Sequence, residues 1–240
     1  MKQTRHLLVA GAIALVAGVF SACEGGSGAG SNIPTDGPFG EIPSVAAKYL
    51  PEINQLQEQR WKSSSAENRE EIAKKEDALK AKWDEAIKAV PSVEGNEITL
   101  EVSEGIDIRP EGNLKITKVT ISDDDVSVKA ESSLVLTANI PCTNFNDYRY
   151  VAFDRDGNAL SVTCGNVFMG KDSDIDWKAN AYKEGAKSNT MFYTSSPKGN
   201  IWKNPAGWAK LAKVVIMDQK TDAFKQAEEQ VKAAEEAVKQ

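Results

Sequence analysis

Few residues in this chain could do chemistry. Among its 240 residues are three cysteines, Cys23, Cys142 and Cys164, and one histidine, His6. His6 stands in a segment that reads as a secretory signal. Lys2 and Arg5 make a basic start, Leu7 to Val19 is an apolar run, and Ser21 and Ala22 supply small residues at a cut site. The run fits a signal core and falls short of the roughly 18 residues needed to cross a bilayer. Cutting there removes the only imidazole. Ser-His-Asp and Cys-His nucleophile systems then lose their base, and His-containing zinc or non-haem iron sites lose their ligands.

The remaining candidates are carboxylates and aromatic rings. Asp172, Asp174 and Asp176 alternate as the first ligands of an EF-hand do, but that loop needs Gly at its sixth place and Glu at its twelfth. Trp177 and Lys183 stand there, so the EF-hand reading fails. Asp123-Asp124-Asp125 reads as a solvated acidic turn, and no metal site is expected. A carboxylate pair can run glycoside hydrolysis without histidine, yet no spacing among the 35 acidic residues singles out a pair. Trp177, Tyr182, Phe192, Tyr193, Trp202 and Trp208 crowd a stretch rich in Gly, Asn and Lys. Trp177, Trp202 and Trp208 are the candidate glycan-stacking rings; the competing reading is that they close one end of the core. Trp202 to Trp208 is the segment expected to be most exposed, because Pro205 and Gly207 hold it out of a strand.

The cut site ends on Cys23, and the order basic, apolar, Ser21-Ala22-Cys23 resembles the lipobox of bacterial lipoproteins. Phe20 departs from the Leu that this family prefers three residues before the cysteine. The resemblance covers the first 23 residues. It implies that the Cys23 thiol is lipidated and becomes the first residue of the mature chain, anchored in a membrane by acyl chains such as palmitate. Glu24 is not the Asp that retains lipoproteins in the inner membrane, so the resemblance implies the cell outer membrane, facing either the periplasm or the outside. Residues 24–40 are rich in Gly, Ser and Pro and read as a flexible tether spanning on the order of 20 Å.

With Cys23 assigned to lipid, only Cys142 and Cys164 remain, too few for a four-Cys zinc site. In an oxidising envelope they read as one disulfide, with two buried free thiols as the alternative. Without Lys2 and Arg5, the 29 basic residues become 27 against 35 acidic ones, a balance of −8. That lacks the basic footprint of nucleic-acid binding.

Three regions follow the tether. Residues 41–92 have helical periodicity, with Pro51 near a helix start or dividing it and Ser63-Ser64-Ser65 as a break. Ser64 and Glu67 have capping-box spacing, and Ile72, Leu79, Trp83, Ala86, Ile87 and Val90 share one face of the second helix, which Pro91 ends. Residues 93–218 have period two. Ile98-Leu100-Val102, Leu114-Ile116, Val119-Ile121, Val126-Val128 and Leu134-Leu136 alternate with polar residues; Tyr148 to Phe153, Ala159 to Cys164 and Leu211 to Met217 add further strands. Residues 219–240 form a helix whose Phe224, Ala227, Val231, Ala234 and Val238 make a narrow seam suited to one partner helix. The partner expected is the helix over 66–90, lying antiparallel; the alternatives are another protein or a second copy of the chain.

Tyr150 to Asn158, with its aromatic and acidic residues before Asp156-Gly157, resembles a hairpin of small immunoglobulin-like domains in bacterial lipoproteins. The resemblance covers about 20 residues. The expectation is an α+β protein: an antiparallel immunoglobulin-like β-sandwich flanked by an N-terminal helical pair and a C-terminal helix. Its expected work is non-catalytic, without a cofactor: holding a protein partner at the membrane, or binding a surface glycan through Trp177, Trp202 and Trp208.

Overall fold

The computed structural model describes residues 33–121, 126–163, 167–194 and 204–237. Helix α1 (Ile42–Lys62) opens with Pro43 in its first turn, where a missing N–H costs nothing, and runs on through Pro51. Ile42, Ala46, Leu50 and Ile53, spaced by three and four, form its buried stripe. Helix α2 (Ala66–Lys88) is capped by Ser65, whose hydroxyl accepts from the Asn68 N–H at 3.3 Å. The cap is therefore one residue later than the Ser64-Glu67 spacing suggested. Trp83 meets the edge of Tyr49 at a ring distance of 6.5 Å, and Arg60 lies 2.9 Å from Glu76. These contacts run in opposite senses along the two helices, so α1 and α2 form an antiparallel hairpin.

The strands are β1 (Glu97–Val102), β2 (Ile108–Pro110), β3 (Leu114–Ile121), β4 (Val126–Leu136), β5 (Ile140–Pro141), β6 (Tyr148–Asp154), β7 (Ala159–Thr163), β8 (Ile175–Asp176), β9 (Ala181–Tyr182), β10 (Lys187–Tyr193) and β11 (Leu211–Asp218). One sheet has the order β10-β4-β3-β1-β11-β6-β7, with β2 also on β4; a small sheet has the order β5-β9-β8. The α+β class stands, but the large sheet is mixed rather than wholly antiparallel. Glu97 and Ile98 of β1 pair antiparallel with β3, whereas Thr99 to Val102 pair parallel with β11. The long connection between β1 and β11 lets β11 insert beside β1 in the parallel sense, which no tight turn could do.

The large sheet folds over on itself. The Tyr150 hydroxyl on β6 bonds Thr190 Oγ1 on β10, and the Tyr150 and Phe192 rings are 6.1 Å apart, although these strands are distant in the sheet order. Burial pushes the Tyr150 phenol up to about 12, even with the Thr190 bond favouring ionisation. One core joins Leu50 and Trp83 of the hairpin to Leu114, Val128, Tyr150 and Val214 of the sheet.

Helix α4 (Asp222–Ala237) does not take α2 as its partner. Phe224, Ala227 and Val231 pack instead on Val151, Ala159, Val215 and Met217, the outer face of β6, β7 and β11. The reason lies in β11, where Val214 and Ile216 face the main core while Val215 and Met217 face outward. A strand apolar on both sides needs cover on both. The Gln230 side chain also accepts from the Ala159 N–H of edge strand β7 at 3.0 Å, satisfying a ladder donor that faces no other strand among the described residues.

Candidate functional site

Residues 36–39, the end of the stretch read from sequence as a tether, pack against the body beside the β6–β7 turn. Asp154, buried at the turn's start, accepts from the Asp156 N–H at 2.9 Å and the Asn158 N–H at 2.8 Å, and Gly157 takes φ +84°. A left-handed turn position favours glycine, which explains the Asp-Gly pair. This rigid turn presents Arg155, whose guanidinium reaches Asp36 Oδ2 at 2.7 Å. The hydrogen bond from Arg155, followed by its charge, holds the Asp36 carboxyl below its ordinary value.

Next along the chain, a Cβ on Gly37 would meet the Ala209 carbonyl oxygen at 2.3 Å, so backbone touches backbone there. The Pro38 carbonyl accepts from Asn96 Nδ2 at 2.9 Å, and the Phe39 ring packs 5.9 Å from Trp208. Residues 36–39 are thus fastened to the body by an ion pair, a close backbone approach, a hydrogen bond and a buried ring. Cys23 itself lies outside the described residues.

The expected exposed segment at Trp208 is corrected. Asn204 caps a short helix, α3 (Pro205–Ala209), by accepting from the Gly207 N–H at 2.9 Å, with Pro205 in its first turn. This turns Trp208 inward, where it is 1% exposed between Phe39 and Phe192. Trp208 cannot stack on a surface ligand. Pro205 and Gly207 start and pack a helix here rather than holding a loop out: a Cβ on Gly207 would meet Leu160 at 2.8 Å. Trp202 lies outside the described residues, as does Asp123-Asp124-Asp125.

Trp177 is exposed, at 68%, on the turn between β8 and β9. That turn is braced by Asp176 Oδ1, which accepts from the Lys178 N–H at 3.0 Å, and by Asn180 at φ +50°. Asp176 therefore serves its own backbone. Asp172 and Asp174 stand in a short 3-10 turn, and no group of three or more His, Cys, Asp or Glu side chains converges on a metal position among the described residues.

Cys142 is half-buried at the start of a 3-10 turn, with no disulfide partner among the described residues; Cys164 lies outside them. The surroundings of Cys142 are aromatic. Phe145 stacks on Phe168 at 5.0 Å, and both meet Tyr182 edge-on, at 5.4 and 5.3 Å. Burial first, then the charges of Cys142, Asp172 and Asp174, raise the Tyr182 phenol above its ordinary value.

The described residues form clefts on two faces. One of about 400 Å³ lies over the outer face of β1 and β11, floored by Phe153, Val215 and Met217, and its one carboxylate, Glu101, is paired with Lys213 at 2.6 Å. The other, about 240 Å³, is lined by Ile42, Ile87, Val90, Val93, Val119 and Ile121, with no acidic side chain among the described residues. Among the described residues neither presents two carboxylates across a gap, the arrangement that glycoside hydrolysis requires.

Sequence reading passed over Trp61, which is 85% exposed at the far end of α1. A signal for it was present. Trp61 stands one turn beyond Gln57, at the edge of the stripe Ile42-Ala46-Leu50-Ile53, and is exposed because no α1 residue beyond Ile53 is buried. Among the described residues no helix is long and apolar enough to cross a membrane. Comparison with family models, curated proteins and solved structures finds no match to this chain.

Proposed function

We propose that this chain is a lipid-anchored protein of the bacterial cell envelope, non-catalytic, that holds a protein partner near the outer membrane. The observation that carries this reading is the ordered run of Lys2, Arg5, the apolar Leu7 to Val19 and Ser21-Ala22-Cys23. The fastening of residues 36–39 supports it, because a body hung from a tether needs a firm point of attachment, and four different contacts supply one.

The folding of the large sheet onto itself, with Tyr150 reaching Thr190 and Phe192, supports reading it as a sandwich of immunoglobulin-like kind. The mixed pairing of β1 makes this a variant arrangement. A Cys142–Cys164 bridge belongs to the same reading. Phe145, three residues after Cys142, stacks on Phe168 at 5.0 Å, so the described residues 142–145 and 167–168 lie near one another. The glycan reading has lost Trp208 to the core and keeps Trp177 as its one exposed described ring.

Membrane fractionation of cells expressing the chain and its Cys23→Ala variant tests the proposal. The wild-type chain partitions with membranes and the variant is released; a variant that stays with the membrane overturns the anchor.

A further inference from the structure

The hairpin of α1 and α2 carries its apolar contacts at the body end and leaves its other end in solvent. From Asn54 to Ala73 only Ile72 is buried, and Trp61 stands near the α1–α2 turn. Exposure of a single apolar residue needs no explanation in itself. An indole at 85% exposure on a protruding tip, flanked by Arg60 and Lys62, is a more specific arrangement.

We propose that Trp61 is a contact point with the lipid surface to which the chain is tethered, its indole seated at headgroup level. The inference deepens the anchored reading and rests on it. Three features choose lipid over a protein partner. Protein hot spots sit within a ring of close-packed neighbours that exclude water. The residues one turn back from Trp61 are Gln57 and an exposed Glu58, and Glu58 is held by Lys62 at 2.6 Å, so no such apolar ring surrounds it among the described residues. A lone indole at a protruding tip instead matches the bilayer interface, where the ring's apolar body meets acyl chains and its N–H stays wet; Arg60 and Lys62 beside it are held by Glu76 and Glu58.

The third feature is reach. The 21 residues from Ile42 to Lys62 span about 30 Å at helical rise. Cys23 precedes the fastened Asp36 by thirteen residues, a span of at most about 45 Å. The lipid at Cys23 and the indole of Trp61 can therefore meet one bilayer at once, with the hairpin inclined toward it. Anchor and tip would then fix the orientation of the body, which a tether alone leaves free.

The test is the lipidated full chain reconstituted in vesicles of phosphatidylethanolamine and phosphatidylglycerol carrying brominated acyl chains, with flotation and tryptophan quenching both recorded. Trp61→Phe and Trp177→Phe are compared with wild type; both side chains are exposed, so the fold is retained. The expected result is quenching in wild type and in Trp177→Phe, and at least fivefold less in Trp61→Phe. Flotation with quenching that is absent, or unchanged in Trp61→Phe, overturns the inference and leaves the anchor standing. Failure of the wild-type chain to float overturns both.

Discussion

Two helical parts of this molecule solve the same problem in opposite ways. Helix α4 lays a seam of three residues, Phe224, Ala227 and Val231, flat on a sheet face that would otherwise expose Val215 and Met217. The hairpin of α1 and α2 uses Leu50, Ile53, Trp83 and Ile87 to join the main core at one end, then leaves the body. Its outer half is held by polar contacts around Glu76, which is 1% exposed and lies 2.8 Å from Lys80, 2.9 Å from Arg60 and 3.4 Å from Gln57. The difference teaches what a seam's chemistry decides. An apolar seam draws a helix onto whatever apolar surface needs cover, whereas a charged one fixes the register of two helices that project together. The second is a weaker source of stability, because removing charges from water costs much of what their attraction returns.

The comparison is broken most severely at the hairpin's root. Trp83→Ala removes a fully buried ring and is expected to cost about 3–5 kcal/mol in urea unfolding. A loss below about 1 kcal/mol would mean that the root is not part of the main core. Phe224→Ala comes next, at about 3 kcal/mol by the same cavity argument, and its signature is local. Amides of α4 and of Ala159 lose hydrogen-exchange protection while those of α2 keep theirs. Equal loss in both places would show α4 coupled to the hairpin after all.

Glu76→Gln separates the polar half from the apolar one, with an expected loss of about 1–2 kcal/mol at neutral pH, since Arg60 and Lys80 retain some access to water. Burial pushes the Glu76 carboxyl up, but Lys80 first, then Gln57 and Arg60, hold it below its ordinary value. The unfolded chain therefore binds this proton more readily than the folded one. The stabilisation is complete above the ordinary carboxylate range and is lost as pH falls through the lowered folded value. In Glu76→Gln the acid limb of the stability curve is shallower; an unchanged limb would assign acid sensitivity elsewhere. The smallest effect is expected where residues 36–39 are fastened to the body. Asp36→Asn removes an exposed ion pair, leaves global stability nearly unchanged and quickens proteolytic cleavage near residues 33–40. Unaltered cleavage would leave Phe39 and Gly37 as the fastening.

What the sequence revealed and what it hid follow from how local each signal is. Strands β3, β4, β6, β7 and β11 and helices α2 and α4 lie close to where periodicity put them, because a repeat of two or of 3.6 is written in neighbouring residues. The Asp-Gly turn after β6 was visible for the same reason. Pairing across the chain was not. Nothing near Thr99 announces that it will run parallel with Lys213, and nothing in the α4 seam says whether its partner is a helix or a sheet. Trp208 misled because Pro205 and Gly207 serve a loop and a capped short helix equally well, and only the approach of Leu160 and Phe39 decides between them. The proposed anchor rests on a run of neighbouring residues that sequence can display, while the fastening of Asp36 to Arg155 joins residues 119 apart.

The anchored reading stands on the chemistry at one residue, and intact mass spectrometry of the chain purified from membranes reads it directly. The account predicts an N-terminus at Cys23 carrying diacylglycerol and acyl chains on its sulfur and amine, with residues 1–22 gone. A mature chain beginning elsewhere, or beginning at an unmodified Cys23, would contradict it.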